Sequence, residues 1–362
     1  MENAMTWHDI ETVLNTYDFP CSRDDVIVWG AGLMGQMEVP ALKESLHIAA
    51  FCDSSTEKQG TKILGLPCIS PEQISEYRSP FVLVSTIKNY ASIRSKLIDM
   101  GVRHCTADAY VVHQHARAFY QVCRSLDTYS QTVFAGVLWC RVTGDMEHIY
   151  QICSDQQYFA LPQFRFCDAN EVFVDCGAFV GDVVEKFIEN NIGVFKKIYA
   201  FEPNYAAFAA MKRRISGLHD IWLFEEDQIV CEQKCVGKEC GKTFFYSNEM
   251  NAANCSIQEN INAQETVELI SLDRYFADRR ESGFTFLKAD IEGYEWDMLQ
   301  GAREMIRRNK PKLAISIYHN IYDFYRIPNF LKELVPEYRF AVRHHWSSFN
   351  ETVLYCWTQN NI

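Results

Sequence analysis

The sequence predicts an α/β protein built of two Rossmann-like domains joined by a helical connector. Three observations carry that expectation. The chain of 362 residues suits two domains better than one. The pattern of apolar strand, glycine turn, helix and a further strand ending in an acid occurs twice, once in each half. Between the two halves the apolar residues recur at helical spacing.

Composition narrows the class. Hydrophobic residues make up 48% of the chain and aromatic residues 14%, enough to fill two cores and against disorder. The formal charge of −12 lacks the basic face a nucleic-acid binder carries, so no nucleic-acid partner is expected. No apolar run is long enough to span a bilayer, and the segment Met1 to Asp9 has neither the basic nor the apolar region of a signal peptide. The expectation is a cytoplasmic protein with reduced thiols. The 14 cysteines are scattered without a C-x-x-C pair, and Cys231, Cys235 and Cys240 have no second ligand pair at zinc-site spacing. No metal is assigned, and the oligomeric state is left open.

The first domain is expected over residues 1–110. Val26 to Trp29 reads as a buried strand, and Gly30, Gly32 and Gly35 follow as G-x-G-x-x-G into a helix. A second strand, His47 to Cys52, ends at Asp53, and Phe81 to Ser85 is another, with a helix from Ile93 to Met100. A helix N-terminus for phosphate and an acid for ribose make Gly30, Gly32, Gly35 and Asp53 a candidate nucleotide site. Its ligand stays open between a dinucleotide and a nucleotide-sugar or other nucleotide, and a purely structural turn is the alternative. The connector, 111–168, carries amphipathic helices at Ala116 to Asp127 and Ser130 to Arg141.

The second domain is expected over 169–362, with strands at 172–175, 197–202, 228–236, 284–290, 312–318 and 351–357. Its first strand runs into Asp175-Cys176-Gly177-Ala178-Phe179-Val180-Gly181-Asp182, and the next ends at Glu202-Pro203-Asn204. The glycines let a ligand approach the backbone, and the strand-end carboxylate suits ribose hydroxyls. The D-x-G-x-x-x-G spacing suits a cofactor without a pyrophosphate and points to S-adenosylmethionine. Lys288, Asp290 and Glu292 alternate at the end of a buried strand, so an extended chain would put them on one face at the edge where open sheets bind ligands. The bland reading is a charged turn into the helix Tyr294 to Ile306. His319 ends the following strand, where a near-neutral side chain can remove a hydroxyl proton; a hydrogen-bonded structural histidine is the alternative. Arg343, His344 and His345 form a second polar group near the last strand.

Taken together, residues from about 170 to 357 resemble the FkbM-type S-adenosylmethionine-dependent methyltransferases. The likeness rests on Val174 to Ala178, Phe201 to Asn204, Leu272-Asp273, Leu287 to Glu295, Leu299 to Ala302, Ile317 to His319, Arg343-His344 and Glu351 to Tyr355. It implies a class I methyltransferase fold with a seven-stranded sheet whose last strand is antiparallel. It also implies O-methylation of a hydroxyl on a sugar, glycan or related metabolite. On this chain it implies that Asp175, Gly177 and Gly181 shape the cofactor loop, Glu202 holds the ribose and Asn204 lies beside the adenosine, with Ala178, Asp182 and Pro203 also in the cofactor site. Asp290 and Glu292 would flank the transferred methyl, with His319 as the leading base. Residues 25 to about 105 resemble the nucleotide-binding module of PglD-type sugar acyltransferases, through Gly30 to Gly32, Phe51 to Asp53 and Gly65 to Pro67. That likeness implies a nucleotide or nucleotide-sugar. Methyl transfer in this reading needs no metal, although oxygens of Asp290 and Glu292 would suit magnesium. The competing readings are a nucleotide-sugar sensor on an inactive methyltransferase fold and a nicotinamide-dependent oxidoreductase.

Overall fold

A computed structural model of the chain describes residues 4–165, 168–225, 227–248, 251–257 and 265–359. The chain divides into two compact units. The first comprises Met1–Cys153 with Asn320–Tyr322 and Trp346–Phe349, and the second comprises Ser154–His319, Asp323–His345 and Asn350–Ile362.

In the first unit, α1 (Trp7–Leu14) precedes strands β1 (Asp25–Trp29), β2 (Ile48–Cys52), β3 (Lys62–Ile63), β4 (Leu66–Ile69), β5 (Pro80–Val84) and β6 (Arg103–Thr106). They form one sheet in the order β3-β4-β2-β1-β5-β6, parallel except for the β3–β4 pair. Val26, Ile27, Val28 and Trp29 are all buried, as expected of a central parallel strand covered on both faces. The helices α2 (Leu33–Leu42), α3 (Tyr90–Asp99), α4 (Ala107–Gln114), α5 (Ala116–Ser125) and α6 (Thr128–Thr143) complete the unit. Asp127 caps α6 by accepting the Ser130 N–H, and Gly144 ends it at φ 73°, a conformation that favours glycine. Helix α6 packs on α1, α4, α5 and β6. The expected connector therefore divides. Its helices through Thr143 belong to the first unit, whereas Tyr158, Phe159, Leu161 and Phe164 lie in the core of the second.

The second unit has a helical turn α7 (Pro162–Arg165), then β7 (Val172–Cys176), α8 (Asp182–Asn190), β8 (Lys197–Phe201) and α9 (Tyr205–Trp222). The expected strand over 228–236 is two pieces, β9 (Ile229–Glu232) and β10 (Lys234–Val236). Next come β11 (Gly241–Asn248), β12 (Asn251–Ile257), β13 (Glu265–Ile270) and α10 (Leu272–Arg279). The chain ends with β14 (Phe286–Ala289), α11 (Glu295–Gly301), α12 (Arg303–Asn309), β15 (Lys312–Ser316), α13 (Asp323–Leu334), β16 (Arg339–His344) and β17 (Thr352–Trp357). The seven-stranded sheet runs β16-β17-β15-β14-β7-β8-β9, and β17 is antiparallel to both of its neighbours. This is the sheet the resemblance implied. Strands β10 to β13 form a separate four-stranded sheet that the sequence reading did not foresee. The helix expected from Tyr294 to Ile306 is two, broken at Ala302. Asp273 caps the second by accepting the Glu304 and Met305 N–H groups.

Cysteine serves mainly as a small apolar residue. Among the described residues, Cys52, Cys68, Cys105, Cys123, Cys140, Cys176, Cys235 and Cys356 are buried, Cys21, Cys153 and Cys240 are exposed, and all are free thiols. No described helix is long and apolar enough to cross a membrane.

Candidate active site

The parallel strands β7, β8 and β14 deliver their C-terminal ends to one cleft of the second unit, with a volume of about 280 Å³. Such an edge is where an open α/β sheet binds its ligand. At one end lies the turn after β7. Gly177 has φ 77°, and a Cβ there would collide with the Asp290 carbonyl oxygen, so the turn and the end of β14 touch through bare backbone. The Gly177 and Ala178 N–H groups both donate to the Phe201 carbonyl at 3.0 Å. Gly181, at φ 80°, precedes α8, whose first residue Asp182 lines the cleft beside Lys186.

Glu202 follows β8 and is 7% exposed. Its two oxygens accept the Phe179 and Asn204 N–H groups, each at 2.8 Å. Burial pushes its carboxyl up to about 7 against those two hydrogen bonds. Each carboxylate oxygen keeps a lone pair for a hydroxyl donor. Pro203 also lines the cleft. The Asn204 side chain caps α9 by accepting the Ala207 N–H at 2.9 Å.

Asp175 does not line the cleft. It lies beneath it, fully buried and paired with Lys288 at 2.9 Å across the β7–β14 register. Burial pushes the Asp175 carboxyl up to about 6 while Lys288 opposes the rise. Lys288 also donates to the Gly177 carbonyl at 2.7 Å, tying the glycine turn to the floor of the cleft.

At the other end stand Asp290 and Glu292. Strand β14 stops at Ala289, so these two residues do not alternate along an extended chain. A turn presents them instead, with Glu292 at φ 55° and Gly293 at φ 97°. Asp290 accepts the Tyr158 hydroxyl at 2.6 Å and the Tyr318 hydroxyl at 3.2 Å. Burial favours its neutral form, but His319, Lys288 and the two tyrosines outweigh that and hold it below the usual carboxylate range. Burial raises Glu292, with His319 opposing.

His319 follows β15 and is 8% exposed. Its Nε2 lies 3.7 Å from Asp290 Oδ1 and 3.4 Å from Glu292 Oε2, and its Nδ1 lies 3.1 Å from Glu295 Oε1. Burial alone would favour the neutral ring, but Glu295, Glu292 and Asp290 together push its pKa well up. Its two ring nitrogens thus both face carboxylates, Glu295 on one side and Glu292 with Asp290 on the other. The sequence reading also missed Tyr158, Tyr318 and Glu351 as cleft residues. Arg343, His344 and His345 stay outside the cleft: His344 Nδ1 meets Thr352 Oγ1 at 2.9 Å, and His345 bridges the Ser154 carbonyl and the Tyr355 hydroxyl.

In the first unit the glycine turn and Asp53 do come together. Gly35 lacks room for a Cβ against the Gly30 carbonyl, so close packing accounts for it. Asp53 accepts the Ala31 N–H at 3.0 Å and the Ser55 N–H and Lys58 Nζ at 2.9 Å.

Residues 175–340 match the family described as Methyltransferase FkbM domain. Over this stretch the chain is similar to FkbM methyltransferase domains. Residues 22–105 match a family described as C2185-like, N-terminal. No curated protein matches the chain. Among solved structures, a methyltransferase FkbM from Methylobacillus flagellatus KT is 20% identical and has a TM-score of 0.59. The match covers 97% of this chain and 98% of that one, and it shows a shared fold. An rRNA methylase from Streptococcus thermophilus is 15% identical over 53% of this chain and 89% of its own, with a TM-score of 0.33. A UDP-D-quinovosamine 4-dehydrogenase from Vibrio fischeri is 22% identical over 24% of this chain and 78% of its own, with a TM-score of 0.22. The last two similarities are too weak to bear on this chain.

Proposed function

We propose that the protein transfers a methyl group from S-adenosylmethionine to a hydroxyl oxygen of a sugar, glycan or related metabolite. The observation that carries this reading is one cleft holding a strand-end carboxylate, Glu202, a bare-backbone turn at Gly177 and a group of ionisable side chains at Asp290, Glu292 and His319. The cofactor end is formed by Gly177, Asp182, Glu202 and Pro203, with Asp175, Ala178 and Gly181 holding the turn in shape. The acceptor oxygen attacks the sulfonium methyl carbon, the carbon–sulfur bond breaks, and the cofactor leaves as a neutral thioether. Because the sulfonium is already a good leaving group, the protein contributes alignment above all. The hydroxyl proton goes to Glu292, whose raised carboxyl is the better acceptor than Asp290, while His319 holds both carboxylates in place.

Calorimetric titration with S-adenosylmethionine tests the cofactor half of this reading. Micromolar binding weakened at least tenfold in Glu202→Ala, a loss of about 1.4 kcal/mol, is the expected result. Absence of binding to the folded protein would favour the sensor reading. Methyl release to a panel of sugar acceptors, lost in Glu292→Gln, tests the chemical half. For the first unit the same reading keeps a nucleotide or nucleotide-sugar at Gly30, Gly32, Gly35 and Asp53. The ligand's ribose would take the place of Lys58 on Asp53.

A further inference from the structure

We propose that Glu295 is a positioning residue for methyl transfer, a buried carboxylate one oxygen of which holds both His319 and the turn that carries Asp290 and Glu292.

Glu295 opens α11, is fully buried and does not line the cleft. Its Oε1 accepts the Ile291 N–H at 2.7 Å and lies 3.1 Å from His319 Nδ1. Ile291 stands between Asp290 and Glu292, so one contact fixes the turn and the other fixes the ring. On the far side of that ring, Nε2 lies 3.7 Å from Asp290 Oδ1 and 3.4 Å from Glu292 Oε2. The ionisable groups at the acceptor end therefore share one anchor behind them.

An acid in the first turn of a helix ordinarily stays in water, where it complements the helix dipole. Burying one costs free energy that a cation and hydrogen bonds must offset. Here His319 supplies the cation: among the described residues it is the positively charged partner of Glu295, and the second oxygen, Oε2, has no hydrogen bond.

Other charges act on the ring as well. Asp323, paired with Arg326 on α13, approaches from one side and Glu351, just before β17, from another, while Lys288 acts on Asp290. Burial pushes the Asp323 carboxyl up to about 7, so near neutrality it lends the ring only part of a charge. Burial also favours the neutral ring of His319, and Glu295 is the largest of the influences that oppose it.

Without Glu295 the ring would lose its proton more easily. A neutral imidazole has one N–H, so one of its two sides would set a lone pair against a carboxylate, and the ring or the turn would move. The catalytic consequence rests on the methyl-transfer reading: Glu292 would no longer be held where the acceptor proton arrives. The anchor itself does not rest on that reading and is measured without cofactor or acceptor.

Nuclear magnetic resonance titration of the His319 ring in the full chain tests this, with His319→Gln identifying the resonance. In the wild type the ring should titrate above the ordinary histidine value of about 6.5. Glu295→Gln keeps an oxygen for the Ile291 N–H but removes the charge. It should lower the midpoint by at least about one unit, a tenfold weaker hold on the proton. Its turnover should fall at least tenfold, more steeply as pH rises through the new midpoint, while KM for S-adenosylmethionine stays within twofold. A wild-type midpoint at or below the ordinary value would overturn the proposal without any variant having to fold. So would an unchanged midpoint or unchanged turnover in folded Glu295→Gln. An equal fall in Asp323→Asn would overturn the assignment to Glu295. A lowered midpoint in Glu295→Gln, beside a wild type that transfers no methyl, would overturn the methyl-transfer reading and leave the anchor.

Discussion

If Glu202 accepts the ribose hydroxyls as proposed, it does so best as an anion, yet its burial pushes the carboxyl up to about 7. In the free protein a proton therefore competes with the cofactor. Affinity for S-adenosylmethionine should fall about tenfold between pH 8 and pH 6, and Glu202→Gln should bind weakly at both values with that dependence gone. Stability follows with a definite sign. Because the folded state holds this proton more tightly than the unfolded chain, Glu202 erodes stability as pH rises from about 4.5 to about 7. Melts of Glu202→Gln should accordingly gain on the wild type above pH 7 and match it near pH 4.5. Tyr158 offers a different test, since its ring packs in the core while its hydroxyl donates to Asp290 at 2.6 Å. Tyr158→Phe should cost about 1 kcal/mol of stability and lower turnover, with cofactor affinity within twofold of the wild type. A parallel fall in affinity would show that Tyr158 serves the cofactor instead.

At the scale of elements, the pairing of β7 with β14 joins the two halves of the site. Lys288 and Asp175 are cross-strand partners, and the same ammonium holds the Gly177 carbonyl. Lys288→Met strands a buried carboxylate and should destabilise the fold by about 3–5 kcal/mol, measured by denaturant unfolding. Adding Asp175→Asn should recover part of the loss, and no recovery would mean that the Gly177 contact dominates. These elements also show what a sequence can disclose. The run of strand, glycine turn and strand-end acid is local, so Gly177 and Glu202 were legible from spacing alone. Asp290 and Glu292 were legible as cleft residues, but the supporting argument, alternation on a strand, fails because β14 ends at Ala289 and a left-handed Glu292 makes the turn. The cap that Asn204 provides to α9 was not read from the sequence, because a polar residue after a strand-end acid gives no sign of which side of it the helix begins. Tyr158 reaches Asp290 from an irregular segment 132 positions away and carries no periodic signal. Strand β16, with Arg339, Arg343 and His344 among its residues, lies at the edge of its sheet and lacks the apolar run of a central strand.

Each unit has an apolar core of its own, one around Trp29, Val82 and Leu97 and the other around Phe173, Phe187 and Phe286. Calorimetry should resolve two unfolding transitions. Cofactor at a hundred times its dissociation constant should stabilise the second unit by about 2.7 kcal/mol and raise one transition more than the other. A single transition that moves as a whole would mean that the units unfold together. The distribution of cysteine makes the same question answerable without heat. Cys52, Cys68, Cys105, Cys123 and Cys140 are sealed in the first unit and Cys176, Cys235 and Cys356 in the second, while Cys21, Cys153 and Cys240 face solvent. A pulse of alkylating reagent should tag the exposed thiols within its dead time and the sealed ones only as their surroundings open. Peptide mass mapping would then read breathing rates at eight interior points of the native chain, with no probe introduced.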